Sequence, residues 1–179
     1  MDHHRDDRVD NRGEPHCGTI VTAERDAWEP VAREIAQQTG VDADVFAALI
    51  NLESGFNPDA LGDVGSKGIA QIQPSFHAVN VWDPYASLWY SARLLRSYLD
   101  QFGRYDLALA AYNAGAPTVA SLGRLPLNGR TELFVARILS DAIGMRTIIG
   151  TPVPIIAPEM PESDTLSVWV SLAVALADR

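Results

Sequence analysis

An apolar segment at helical spacing, which runs directly into an acidic residue and then into a turn-rich loop, is the feature that most constrains this chain. The acidic residue is Glu53, and the apolar positions before it are Val45, Phe46, Leu49, Ile50 and Leu52. This pattern predicts a buried helix whose last turn carries a carboxylate. A helix C-terminus carries partial negative charge, so the carboxyl of Glu53 should hold its proton more readily than usual.

The loop after Glu53 is rich in residues that form turns. Gly55, Asn57-Pro58, Gly62 and Gly65 mark it, and a second apolar run begins at Ser66 or Lys67 and closes at Pro74. Such a loop is expected to bring Gln71 back towards Glu53. A half-desolvated glutamate that faces an amide is the layout of a general acid in a groove for a polar substrate.

Three motifs, in this order along the chain, resemble those of the soluble lytic transglycosylases of bacterial cell walls, whose fold is similar to goose-type lysozyme. They are Glu53-Ser54 with Phe56-Asn57-Pro58 and Ala60, then Gly68-Ile69-Ala70-Gln71-Ile72-Gln73-Pro74, then Ala110-Ala111-Tyr112-Asn113-Ala114-Gly115. The order and number of these motifs make the resemblance far more specific than an isolated Glu-Ser pair.

The resemblance implies an all-α, lysozyme-like domain with a glycan-binding groove. It implies that Glu53 is the single catalytic acid and base, and that the substrate is bound by Ser54, Gly68, Ile69, Gln71, Tyr112 and Asn113. The hydroxyl of Tyr112 is expected to donate to Glu53 or to a sugar, and the amide of Asn113 to bind an N-acetyl group. The implied reaction cleaves the β-1,4 bond between N-acetylmuramic acid and N-acetylglucosamine, forms a 1,6-anhydro product, and uses no metal or other cofactor.

The sequence also departs from the family pattern. Arg130 stands where the family usually has Glu, and Phe134 where it has Tyr; Ala70 and Ser87 replace the usual Met and Asn. Two alternatives stay open. One is a goose-type lysozyme that hydrolyses the same bond. The other is an inactive glycan-binding or structural component of a phage tail, which Arg130 keeps open although the intact Glu53, Gln71, Tyr112 and Asn113 argue against it.

A second catalytic carboxylate, as most glycosidases use, has only weak candidates near the motifs. Asp59, Asp63 and Asp83 each lie in a predicted turn or at a predicted helix start. Capping of backbone N–H groups is the simpler role for all three. The sequence therefore predicts that one acid performs both proton transfers.

The predicted organisation has three parts. Residues 1–24 form a disordered polar segment, 25–145 the catalytic domain, and 146–179 a Pro-rich linker with a short apolar end. Helices are expected over about 26–38, from an Asp42 cap to Glu53, from an Asp83-Pro84 start to Gly103, over 106–111, from Pro117, and over 131–139. The apolar run 165–177 is shorter than the ~20 residues that span a bilayer, so no transmembrane segment is predicted. That run is expected to pack on the domain or a partner, with a membrane-surface role as the alternative.

Composition limits the partners and the route of delivery. The formal net charge of −9 argues against nucleic acid as a partner, whereas peptidoglycan glycan strands remain compatible with it. Cys17 is the single cysteine, so no intramolecular disulfide forms.

The N-terminus has no apolar signal-peptide core, which predicts delivery to the cell wall or periplasm by a phage particle, a lysis system or a secretion apparatus, or processing from a longer precursor. A zinc site at His3, His4, His16 and Cys17 fits no standard spacing, and a solvated tail is the preferred interpretation.

Overall fold

The computed structural model describes the backbone of residues 17–149 and the side chains of residues 23–144. The regular elements in this part are helices, and it contains no strand beyond two isolated bridges in the loop between the second and third helices. The helices are α1 Cys17–Thr39, α2 Ala43–Ser54, α3 Pro84–Phe102, α4 Tyr105–Ala114, α5 Ala116–Leu122 and α6 Thr131–Ile149. The predicted all-α fold is confirmed.

Helix α2 is the centre of the domain. Its six consecutive residues 45–50 are all buried, which is the pattern of a helix that is covered on every side. Helices α1 and α6 pack directly on α2, while α3 packs on α1 and α4, and α4 packs on α5 and α6. The innermost helix therefore carries Glu53 outward from the core to the loop.

The predicted caps at the starts of α2 and α3 are confirmed. Oδ1 of Asp42 accepts hydrogen bonds from the backbone N–H groups of Asp44 and Val45, at 3.0 and 3.1 Å. Asp83 caps α3 in the same way, 3.0 Å from the N–H of Ala86. These caps satisfy N–H groups that the first turn of a helix leaves without a partner, so the helix starts are fixed by local sequence.

Two helices extend past the predicted bounds of the domain. Helix α1 begins at Cys17, before the predicted helix start at about Asp26. Helix α6 continues to Ile149, past the predicted end of the domain at 145. In both places a helix that is already anchored by packing extends outward, because adding a residue to a formed helix avoids the cost of nucleation. The predictions for residues 1–16 and 150–179, including the three zinc-candidate histidines and the C-terminal apolar run, lie outside the described residues.

Candidate active site

Glu53 lies in the last turn of α2, where the chain turns sharply away. Gly55 caps the helix in the left-handed conformation, with φ of 65°, and Phe56 follows with φ of 68°. A non-glycine residue in this region costs on the order of 1–3 kcal/mol and persists where packing enforces it. Phe56 is fully buried, and the guanidinium of Arg25 covers its ring at 5.4 Å. The packing of Phe56 thus holds the turn that leaves Glu53 at the end of the helix.

The carboxyl of Glu53 is in an environment that favours its protonated form. Burial raises its pKa from 4.5 to about 8, and the cation of Arg130 acts in the opposite direction. Within residues 23–144 the carboxyl makes no hydrogen bond to another protein group. The sequence prediction of a raised pKa is confirmed, although desolvation is the main cause. At neutral pH the group is a mostly neutral acid that has a proton to donate.

Ser54 and the Gly68-Ile69 segment form a brace beside Glu53. The hydroxyl of Ser54 donates to the carbonyl of Ile69 at 2.6 Å, which ties the end of α2 to the loop. Ile69 is fully buried and its side chain packs in the core, and the prediction that this residue binds substrate stays a prediction. Gly68 has φ of 71°, and a Cβ there would lie 2.0 Å from the carbonyl oxygen of Val81. Only glycine fits this close approach.

The side-chain amide of Gln71 is bonded to groups of its own loop. Its Oε1 accepts a hydrogen bond from Ser66 at 2.7 Å, and its Nε2 donates to the carbonyls of Ala60 and Gly68 at 3.2 and 3.0 Å. These two carbonyls also accept backbone hydrogen bonds within the loop, from the N–H groups of Gly68 and Gln71, so the amide adds a second donor to each. Gln71 holds the loop in shape.

Tyr112 lies beside Glu53, but its hydroxyl is already engaged. It donates to the carbonyl of Ala70 at 3.0 Å and lies 3.1 Å from Oγ of Ser91. Burial, followed by the charge of Glu53, raises the pKa of Tyr112 above its ordinary value. The two residues are therefore close, and donation from the Tyr112 hydroxyl to Glu53 or to a sugar stays a prediction.

Asn113 connects α4 to the start of α6. Its Oδ1 accepts a hydrogen bond from the hydroxyl of Thr131 at 3.0 Å, and Thr131 is almost fully buried. In the described part of the chain the amide nitrogen of Asn113 has no hydrogen-bond acceptor, so it is free to donate. The prediction that this amide binds an N-acetyl group is compatible with that arrangement and stays a prediction.

Three supporting residues were missed by the sequence analysis: Ser66, Ser91 and Thr131. Each gives a hydroxyl to a predicted site residue, namely Gln71, Tyr112 and Asn113. A signal existed for Ser91, which lies on the apolar stripe of α3 between Leu88 and Leu95 and is fully buried there. A buried hydroxyl requires a partner, so its position alone indicates a role in a hydrogen-bond network.

The candidate second carboxylates keep ordinary structural positions. Asp83 caps α3, as predicted, and Asp59 and Asp63 are exposed in the loop.

Among the residues whose side chains are described, no cluster of three or more His, Cys, Asp or Glu side chains is arranged to hold a metal ion. None of the described helices is long and apolar enough to cross a membrane.

Comparison with known proteins agrees with the motifs. A family model described as the transglycosylase SLT domain matches residues 30–132. A protein of Enterobacteria phage PRD1 named "Transglycosylase" is 27% identical over 135 residues, which cover 73% of this chain and 47% of that protein. "Protein IpgF" of Shigella flexneri is 30% identical over 116 residues, covering 56% of this chain and 70% of that protein. The chain thus spans about half the length of the phage relative.

Proposed function

The chain belongs to the transglycosylase SLT domain family, and from this premise we propose that it is a peptidoglycan lytic transglycosylase in which Glu53 is the only catalytic acid and base. One observation carries the proposal. The carboxyl of Glu53 has a pKa of about 8 and has no hydrogen-bond partner in the described protein, so its proton is available to a substrate.

In the first step Glu53 acts as a general acid. Its carboxyl donates a proton to the oxygen that links C1 of N-acetylmuramic acid to N-acetylglucosamine, and the C1–O bond breaks. The carbonyl oxygen of the muramoyl N-acetyl group stabilises the positive charge that develops at C1. Glu53 is left as a carboxylate, and the N-acetylglucosamine end leaves as an alcohol.

In the second step the same residue acts as a general base. The Glu53 carboxylate takes the proton from the muramoyl 6-hydroxyl, whose oxygen then closes on C1 to form the 1,6-anhydro sugar. Glu53 is protonated again, and the net reaction consumes no water. A second carboxylate is not used, in keeping with the exposed or capping positions of Asp59, Asp63 and Asp83.

The surrounding residues have separate roles in this proposal. Ser54, Gly68 and Gln71 keep the loop in place through their contacts with the protein, and the buried Tyr112 lies beside Glu53. Asn113 offers its free amide nitrogen to the substrate, with the N-acetyl carbonyl as the natural acceptor. Oriented in this way, the acetamido group is held next to C1, where its carbonyl oxygen stabilises the developing positive charge.

The proposed place of action is the cell wall or periplasm, because that is where peptidoglycan glycan strands lie. The proposed routes of delivery are a phage particle, a lysis system, a secretion apparatus or processing from a longer precursor. In the first three cases a component of the delivering assembly would be a partner.

Analysis of the cleavage products tests the proposal. Isolated peptidoglycan is incubated with the purified chain, and the released muropeptides are identified by mass spectrometry. We expect 1,6-anhydro ends; reducing ends, heavier by one water, would indicate a goose-type hydrolase. Binding to peptidoglycan with no released product would assign the chain to the inactive, structural class.

A further inference from the structure

Arg130 is an exposed cation held at a fixed position on the rim of the site. It immediately precedes α6, and its backbone carbonyl accepts the hydrogen bond of Phe134 N–H at 3.0 Å. Asn128 Oδ1 accepts from the N–H groups of Arg130 and Thr131, at 3.0 and 2.8 Å. The carboxylate of Glu132 in turn accepts from the backbone N–H groups of Asn128 and Gly129. The backbone that carries Arg130 is thus constrained on both sides.

Two contacts place this turn at the site. The buried hydroxyl of Thr131 donates to Asn113, which is next to Tyr112, and α6 packs along α2. The guanidinium of Arg130 influences the carboxyl of Glu53 electrostatically but forms no ion pair with it. In residues 23–144 its side chain has no hydrogen bond or salt bridge, so its N–H donors are available to a ligand. Five N–H donors in a planar fork match a carboxylate.

We infer that Arg130 is a specificity-determining residue that binds a carboxylate on the muramoyl side of the glycan strand. This inference rests on the proposed function. The muramoyl sugar is the one residue of the strand that carries acidic groups: a lactyl carboxylate where the peptide has been removed, or the carboxylates of the peptide stem where it is present. Either is a carboxylate near the bond that Glu53 cleaves.

The electrostatics of the site support this assignment. A cation near a general acid opposes protonation of that acid, and Arg130 does lower the pKa of Glu53 relative to the effect of burial alone. A substrate carboxylate bound to Arg130 compensates the charge of the guanidinium. The pKa of Glu53 then rises towards the value that burial alone would give it. Arg130 then couples the binding of a carboxylate-bearing substrate to the protonation of Glu53.

Equilibrium binding to three glycans tests the inference without cleavage. The protein is the Glu53→Gln variant, with and without Arg130→Gln, and the ligands are chitin oligosaccharides, which have no carboxylate, peptide-free glycan strands, and strands with intact stems. We expect Arg130→Gln to weaken binding of at least one carboxylate-bearing ligand by about tenfold or more, and to leave chitin binding within about twofold. Weaker binding of the peptide-free strands alone would identify the lactyl carboxylate as the group that Arg130 binds. Weaker binding of the stem-bearing strands alone would identify a carboxylate of the peptide stem.

Two control variants separate recognition from general charge and from folding. Arg137→Gln removes the same charge from an exposed position farther along α6 and should leave all three affinities unchanged. Arg130→Lys keeps the charge without the fork and should restore part of the binding. Equal weakening of all three ligands, or no weakening of any, would overturn the inference. The proposed function fails separately, if the unmutated chain releases no muropeptide.

Discussion

Glu53 and the polar side chains around it differ in one respect, which is where their hydrogen bonds go. Ser54, Gln71 and Tyr112 each bond to a backbone carbonyl of the loop, and Asn113 bonds to Thr131. The carboxyl of Glu53 bonds to none of the described protein groups and is buried enough to keep its proton. In the proposed mechanism this difference separates Glu53, which reacts, from the side chains that hold the surrounding structure in place. Substitutions at Glu53 should therefore affect chemistry first, and substitutions around it should affect stability first.

The largest effect is expected for Glu53→Gln. This change keeps the shape of the side chain and removes its acid, so peptidoglycan cleavage should fall by about 10³-fold or more, while binding of glycan strands is retained. The measurement is the rate of muropeptide release, with a sedimentation assay for binding. Cleavage within tenfold of the unmutated chain would contradict the central role of Glu53.

The next largest effect is expected for Gly68→Ala, which tests the brace. A Cβ at Gly68 would lie 2.0 Å from the Val81 carbonyl oxygen and would also strain a residue with φ of 71°. We expect the free energy of unfolding to fall by roughly 3 kcal/mol, measured by denaturant titration. Gly65→Ala is the matched control, because its φ is 84° but no atom lies within 4 Å of the added Cβ. A loss of stability as small as that of Gly65→Ala would show that the loop can shift to make room for the added Cβ.

Burial of Glu53 should also make the protein less stable as pH rises. Its pKa is about 8 in the folded chain against an ordinary 4.5. Between these values the unfolded chain loses the proton while the folded chain keeps it, so ionisation favours the unfolded state. Glu53→Gln should thus match the unmutated chain below pH 4.5 and exceed its free energy of unfolding at pH 7, by on the order of 1–3 kcal/mol. An identical pH dependence of unfolding in the two proteins would refute the raised pKa.

A smaller effect is expected for Tyr112→Phe. The change removes the hydrogen bonds to the Ala70 carbonyl and to Ser91 and leaves the ring beside Glu53. The free energy of unfolding should fall by about 1–2 kcal/mol, and cleavage should fall by less than about tenfold. Tyr85→Phe, at an exposed position, is the control. A loss of cleavage as large as that of Glu53→Gln, without loss of stability, would show that Tyr112 takes part in the reaction and does not only support the structure.

The sequence predicted the elements that depend on local signals. The Asp42 and Asp83 caps, the exit of α2 at Gly55 and the apolar surroundings of Glu53 all follow from neighbouring residues. The start of α1 did not, because the stability of residues 17–24 as helix comes from the anchored helix that follows them. Helix extension of this kind leaves no apolar periodicity to detect.

The direction of polar side chains was the part that motifs could not supply. Gln71 and Tyr112 are in the region predicted, and both donate hydrogen bonds to loop carbonyls. Which carbonyls a side chain can reach depends on the three-dimensional path of the loop, and that path includes the left-handed Phe56 and Gln71, which no turn rule predicts. Arg130 was noted only as a departure from a pattern. Its proximity to Glu53 required the packing of α6 on α2.

The most direct test of this account is the pKa of the Glu53 carboxyl in the folded protein. The side-chain carboxyl ¹³C resonance, assigned by its absence in Glu53→Gln, is followed by NMR as pH is raised. The account predicts a titration midpoint near 8, with the group neutral under the conditions in which it donates its proton. A midpoint near the ordinary 4.5 would mean that Glu53 is ionised at neutral pH, and the proposed acid would have no proton to give.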